Sequence, residues 1–127
     1  MTIKELIDEI ADCAIAVRKQ LTYGFEEIIY KKAMYIELKK HGLTVEIEKP
    51  IQIYYDDTCI GNYRLDMLVE GKVILELKAV NALVIAHSVQ LVNYLNITGI
   101  DNGLLINFGA EKLEIVPKSR LYHKIQK

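Results

Sequence analysis

A chain of 127 residues has the length of one ordinary domain and can bury a core of its own. It is 51% hydrophobic and 26% charged, as globular proteins are, and its net charge of −1 argues against a strong non-specific nucleic-acid binder, which is normally basic. No apolar run approaches the roughly 20 residues that span a bilayer. The opening Met1-Thr2-Ile3-Lys4-Glu5 is amphipathic rather than signal-like, so a cytoplasmic protein with no membrane partner is the expectation.

In chain order, Thr2-x-x-Glu5 has the form of a capping box. Ile3, Leu6, Ile7, Ile10, Ala14 and Val17 follow at helical spacing to about Lys19. Thr22-Tyr23-Gly24 breaks this helix from a second, expected from Phe25 to Lys40 and stopped by His41-Gly42. Lys31-Lys32 and Lys39-Lys40 read as its wet face. Cys13 and Cys59 lack metal-ligand spacing and read as reduced thiols, while His41, His87 and His123 are too scattered for a zinc cluster.

Leu43 to Glu48 alternates as a half-buried strand does. Pro50 predicts a bend or an edge position before Ile51 to Tyr55 resumes the strand, and Asp56-Asp57 makes a turn. Strands follow at Cys59 to Val69 and Val73 to Lys78, a third helix from Asn81 or Ala82 to Thr98, and short strands at Gly103 to Asn107 and Leu113 to Val116. The order α-α-β-β-β-α-β-β, with a β-α-β crossover through the third helix, predicts a mixed sheet flanked by helices in the α/β class. No repeat or Gly/Ser linker divides the chain, so 1–127 reads as one domain: an N-terminal helix to 22, a core over 23–116, and a basic tail over 117–127 carrying Lys118, Arg120, Lys124 and Lys127 without an acid.

The chemistry concentrates around Glu70-Gly71-Lys72. Residues two apart on a strand share a face, so Glu76 and Lys78 project together. A hairpin turning at Gly71 sets Asp66 across from Glu76, where cross-strand Cβ atoms are about 5 Å apart. Leu65, Met67, Leu75 and Leu77 are expected to face the other way. Two carboxylates that close repel unless a cation lies between them, which points to a metal-dependent hydrolase. On the third helix His87, Gln90 and Tyr94 share one face, with Ile85, Val89, Val92 and some of the leucines expected to pack on the sheet. Glu27 by itself is an ordinary helix acid, and His87 by itself a structural histidine.

These residues resemble the GxxExxY family, a branch of the PD-(D/E)XK nuclease-like superfamily. The family motif stands as Gly24-x-x-Glu27-x-x-Tyr30. The superfamily's acid and E-x-K elements match Asp66 and Glu76-Leu77-Lys78, its helical glutamine matches Gln90, and Gly103 to Gly109 is similar to the family's last core strand. The acidic strand departs from the superfamily's proline-aspartate, reading Arg64-Leu65-Asp66. The resemblance spans Tyr23 to Val116 and implies a restriction-endonuclease-like core that hydrolyses phosphodiesters with Mg²⁺, for which Mn²⁺ can substitute. Mg²⁺ takes oxygen ligands at about 2.1 Å and keeps several waters. The implied ligands are Asp66, Glu76 and the Leu77 carbonyl, with Glu27 ligating directly, through water, or at a second metal. Lys78 would orient the attacking water or stabilise charge on the phosphorane. Gln90 would hold a phosphate oxygen or position Lys78, and Tyr30 and Tyr94 would wall the cleft.

The expected partner is nucleic acid, DNA first. A domain this small carries no separate recognition module, so selectivity would come from a protein partner or a homodimer. The competing readings are a catalytically silent nuclease-fold module for nucleic-acid or protein binding, and a phosphohydrolase acting on a small nucleotide.

Overall fold

A computed structural model describes residues 1–120. Its elements are α1 (Ile3–Leu21), α2 (Glu27–Lys40), β1 (Val45–Tyr55), β2 (Thr58–Val69), β3 (Val73–Lys78), α3 (Ile85–Thr98), β4 (Asn102–Asn107) and β5 (Glu114–Ser119), in the predicted order. The capping box forms: Thr2 Oγ1 accepts from the Glu5 N–H at 3.1 Å and Glu5 Oε1 accepts from the Thr2 N–H at 2.8 Å.

The five strands form one sheet in the order β1-β2-β3-β4-β5. All neighbours are antiparallel except β3 and β4, which are parallel and joined through α3. Helices α1 and α2 cover one face, where Leu6, Ile10, Tyr30 and Met34 meet Val73, Leu75, Leu77 and Ile106. The other face is closed by α3, through Leu91, Tyr94 and Leu95 on Ile74 and Leu105. Strand β3 is thus covered on both sides, which accounts for its nearly unbroken apolar sequence.

Pro50 does not interrupt β1. It lies in an edge strand, where a missing N–H costs no ladder bond, so the two expected segments are one strand. The β2–β3 turn places Glu70 at φ 54 and Gly71 at φ 64, with the Lys72 N–H donating to the Val69 carbonyl at 2.9 Å. Both residues are in the left-handed region that tight hairpins of right-twisted strands favour.

The third helix starts later than its sequence suggests and shows a different face. After β3 the chain is held extended by Asn107, whose Oδ1 accepts from the Val80 N–H at 3.0 Å and whose Nδ2 donates to the Val80 carbonyl at 2.9 Å. His87 is part of the start: its Nδ1 accepts from the Val84 N–H at 3.2 Å. Ile85 and Val89, expected against the sheet, are exposed, and the leucines with Tyr94 carry the contact instead. The helix packs closely on β4, for a Cβ at Gly103 would stand 2.9 Å from Leu91 Cδ1. Gly109 is tighter still: a Cβ there would lie 2.4 Å from backbone atoms of Ala79 and Val80.

Strand β5 runs to Ser119, so the segment read as a basic tail from 117 begins inside the sheet, and Arg120 Nε donates to Asp101 Oδ1 at 3.0 Å. Lys124 and Lys127 lie outside the described residues. Both cysteines are free; Cys13 is buried, its thiol pushed up to about 12 by burial and by Glu37, Glu9 and Asp12. Among the described residues no helix is long and apolar enough to cross a membrane.

Candidate active site

The site lies where β1, β2 and β3 stop behaving as regular strands. Residues an even number apart on a strand share a face, yet Val45 packs toward α1 and α2 while Ile51 packs under α3. Met67 and Leu65 divide the same way, against the expectation that they face together. Both exchanges happen at one step. The β1–β2 ladder pairs Ile47 with Met67 and Lys49 with Leu65, leaving Glu48 and Asp66 between these pairs. Glu48 holds φ 50, a left-handed conformation that turns an extended chain about its axis and that a residue with a Cβ adopts at a cost of roughly 1–2 kcal/mol.

On its other side β2 also loses its partner. The β2–β3 ladder runs through Val69–Val73, Leu68–Ile74 and Met67–Leu75. Beyond it the Asp66 side chain takes over: Oδ2 accepts from the Leu77 N–H at 2.9 Å, replacing a ladder bond with a carboxylate hydrogen bond. Asp66 Oδ1 accepts from Lys31 Nζ, also at 2.9 Å, and the same ammonium lies 2.9 Å from Glu27 Oε2. Burial opposes the Lys31 charge, but hydrogen bonds to Asp66 and Glu27 outweigh it, so the ammonium is held above its ordinary range.

Lys31 is therefore not on the wet face of α2. A signal for it was present, since it follows Glu27 by one helical turn and i,i+4 acid–lysine pairs share a face. Glu48 has no comparable signal; nothing in an alternating strand announces a left-handed residue. Ile28, Lys32, Tyr35, Ile47, Glu48, Asp66 and Met67 are among the residues around a cavity of about 430 Å³ on this side.

Glu76 is the interruption in the apolar run of β3. Only 4% of it is exposed, and its Oε1 is buried with no hydrogen-bond partner among the described residues. Burial first, and then the charge of Asp66, push its carboxyl up to about 8, with Lys78, the Asp66 N–H and Lys31 pulling the other way. The two acids therefore interact across the gap between their strands. Tyr94 faces the same charge: burial and Glu76 raise its hydroxyl. Gln90 Nε2 donates to Tyr94 Oη at 3.0 Å, and both residues border a second cavity of about 780 Å³ with Tyr63 and Ile53.

Of the expected polar residues, Glu27, Asp66, Glu76, Gln90 and Tyr94 thus fall into two groups that meet at the Asp66–Glu76 break. Glu27 and Asp66 are joined through Lys31 beneath α2, while Gln90 and Tyr94 approach Glu76 from α3. Among the described residues no group of three or more His, Cys, Asp and Glu is arranged to hold one ion, and Glu27 meets Asp66 through the Lys31 ammonium. Lys78 shares the E-x-K strand and its charge lowers Glu76, as their spacing implies. Tyr30 departs most from expectation. It is fully buried, stacked on Phe108, its hydroxyl donating to the Thr22 carbonyl at 2.7 Å and accepting from the Phe25 N–H at 3.2 Å. It ties down the turn in which Gly24 adopts φ 115, so the glycine and tyrosine of the motif shape the entry to α2 while the glutamate faces the site.

The chain resembles a solved structure described as "Crystal structure of SSO0001", with a TM-score of 0.56 at 14% identity, over 97% of this chain and 80% of that one. That likeness is one of fold. No curated protein matches. A family model described as the PD-(D/E)XK nuclease superfamily matches residues 4–118, extending over α1, which the sequence motifs had left out. The chain belongs to the PD-(D/E)XK nuclease superfamily.

Proposed function

We propose that this protein is a divalent-metal-dependent nuclease of the GxxExxY branch, hydrolysing phosphodiester bonds of DNA with Mg²⁺ as the physiological ion. The observation that carries the reading is Glu76: a buried carboxylate with an oxygen that has no hydrogen-bond partner among the described residues, beside a second carboxylate whose charge it feels. An anionic pair in that setting has its protonation opposed to its function unless a cation joins it. The residues fit a hard cation. Asp66 and Glu76 would supply carboxylate oxygens, the carbonyl of Leu77 directly follows Glu76 on the same strand, and water would complete the shell in the manner usual for Mg²⁺.

Held by these residues, such an ion would supply polarisation of a phosphoryl oxygen and a lowered pKa for bound water. The chain's own groups do the rest. The Leu77 N–H fixes the Asp66 carboxylate and so the position of its oxygens. Lys78, beside Glu76 on β3, offers an ammonium to the attacking water or to charge on the phosphorane. Gln90, oriented by its bond to Tyr94, holds a phosphate oxygen in this reading. Glu27 acts through Lys31 or through water rather than as a direct third ligand. A cytoplasmic location and recognition of substrate through a homodimer or protein partner belong to this reading.

Calorimetric titration with Mn²⁺ and Mg²⁺ tests it. Wild type should bind, and Asp66→Asn and Glu76→Gln should not. Single-stranded, double-stranded and flapped DNA should be cut by wild type and not by Lys78→Ala; cutting confined to RNA would change the substrate and keep the chemistry. One observation favours a second reading, a silent nuclease-fold binding module: Asp66 already has a cation in Lys31. Failure of wild type to bind either ion or cut any of these polymers would select it.

A further inference from the structure

We propose that the Lys31 ammonium is the protein's own counter-cation at Asp66, which a divalent ion displaces on binding, so that Lys31 sets the metal affinity of the site. The inference rests on the metal-dependent reading above and adds a residue that neither the E-x-K pattern nor the GxxExxY motif contains.

The oxygen inventory at Asp66 carries it. Oδ2 is engaged by the Leu77 N–H at 2.9 Å, an interaction that fixes the carboxylate to β3. Oδ1 is the oxygen left to face an ion, and Lys31 Nζ lies 2.9 Å from it. The ammonium is anchored a second time by Glu27 Oε2 at 2.9 Å. This is no surface pair of two wandering side chains. The Lys31 and Asp66 side chains are only 20% and 13% exposed, and α2 fixes the spacing of Glu27 and Lys31.

A compact ammonium with three donors and a hard divalent ion ask for the same carboxylate oxygens, and like charges in so enclosed a place exclude each other. Lys31 has a flexible four-carbon stem and borders the cavity beneath α2, which gives the displaced ammonium somewhere to go. Lys31 is thus a positioning residue: it holds Asp66 and Glu27 in place without metal, and the ion must compete with it.

The test is calorimetric titration of the full chain with Mn²⁺. Lys31→Met keeps the length and apolar stem and removes the charge; it should bind at least about tenfold more tightly than wild type, whereas Lys31→Arg should not tighten binding. Metal should also raise the melting temperature of Lys31→Met by more than it raises that of wild type. Should Lys31→Met not fold, the wild-type protein still answers: the Lys31 Nζ protons should be protected from exchange without metal and lose that protection on saturation with Mg²⁺. Equal or weaker Mn²⁺ binding by Lys31→Met while wild type binds, or Lys31 protection unchanged by Mg²⁺, overturns displacement and leaves the metal reading standing. No binding by wild type or variant overturns both.

Discussion

The β2–β3 hairpin has two halves built on opposite terms. Near the turn, Val69, Leu68 and Met67 pair with Val73, Ile74 and Leu75, all of them buried and in regular register. One step further on, Asp66 and Glu76 continue the same two strands, but the ladder has ended, a carboxylate has replaced a backbone partner, and a buried oxygen goes unsatisfied among the described residues. The first half is what a sheet does when apolar burial and hydrogen bonding agree. The second sets charge where burial opposes it, and is kept open by the packing around it. Stability and chemistry are therefore separable along a single hairpin, the closed half holding the open half in place.

The strongest way to break this contrast is at Leu75. It is fully buried in the paired half, and Leu75→Ala should destabilise the protein by about 2–5 kcal/mol, read by urea unfolding. Asp66→Asn, nearby in the open half, should abolish metal binding with a much smaller change in stability. If the two substitutions destabilised equally, the division between halves would not hold. Next comes Gly109→Ala. The added Cβ would collide with the backbone of Ala79 and Val80, just beyond the strand that carries Lys78, and should cost about 1–3 kcal/mol in the same measurement.

Glu76 sharpens the contrast through pH. Its carboxyl is held near 8 in the folded protein against an ordinary 4.5, so between these values the folded chain keeps a proton the unfolded chain has released. The metal-free protein should then lose stability as pH rises through that window, by up to about 1.4 kcal/mol per unit, and Glu76→Gln should remove that slope. Denaturation midpoints of both proteins from pH 5 to 8 provide the check; parallel curves would refute it.

The smallest effect is expected at Glu48. Glycine takes φ 50 freely, so Glu48→Gly should stabilise by up to about 1 kcal/mol and leave Mn²⁺ affinity intact. Glu48→Val resists that conformation and should weaken both. A Val variant as stable as wild type would mean that the turn of the strands at Asp66 does not depend on this residue's backbone.

Element order and most boundaries were legible in the chain because local signals and burial agree there. The capping box, the glycine after α2, the alternating strands and the long apolar β3 each state a preference that packing then satisfies. The departures have specific causes. Helix α3 starts late because Asn107, distant in sequence, takes both backbone groups of Val80. Its buried face was misjudged because Ile85 and Val89 are as apolar as the leucines, and hydrophobicity alone gives no rotation for a helix apolar nearly all round. Tyr30 looks like a cleft residue in a motif and is a core residue, since a buried hydroxyl can satisfy itself on two backbone groups of a turn.

The sequence by itself determined the class of fold, the β2–β3 hairpin turning at Gly71 and the coupling of Glu76 to Lys78, because strand periodicity and hairpin register are local properties of the chain. Only the tertiary structure decided that Leu65 and Met67 part to opposite faces, that Glu27 reaches Asp66 through Lys31, and that Glu76 is buried with an oxygen unpartnered among the described residues. Those outcomes depend on how α2, β1 and α3 press on one point of β2 and β3. A carboxylate's partner in space is set by that packing, and no spacing along the chain encodes it.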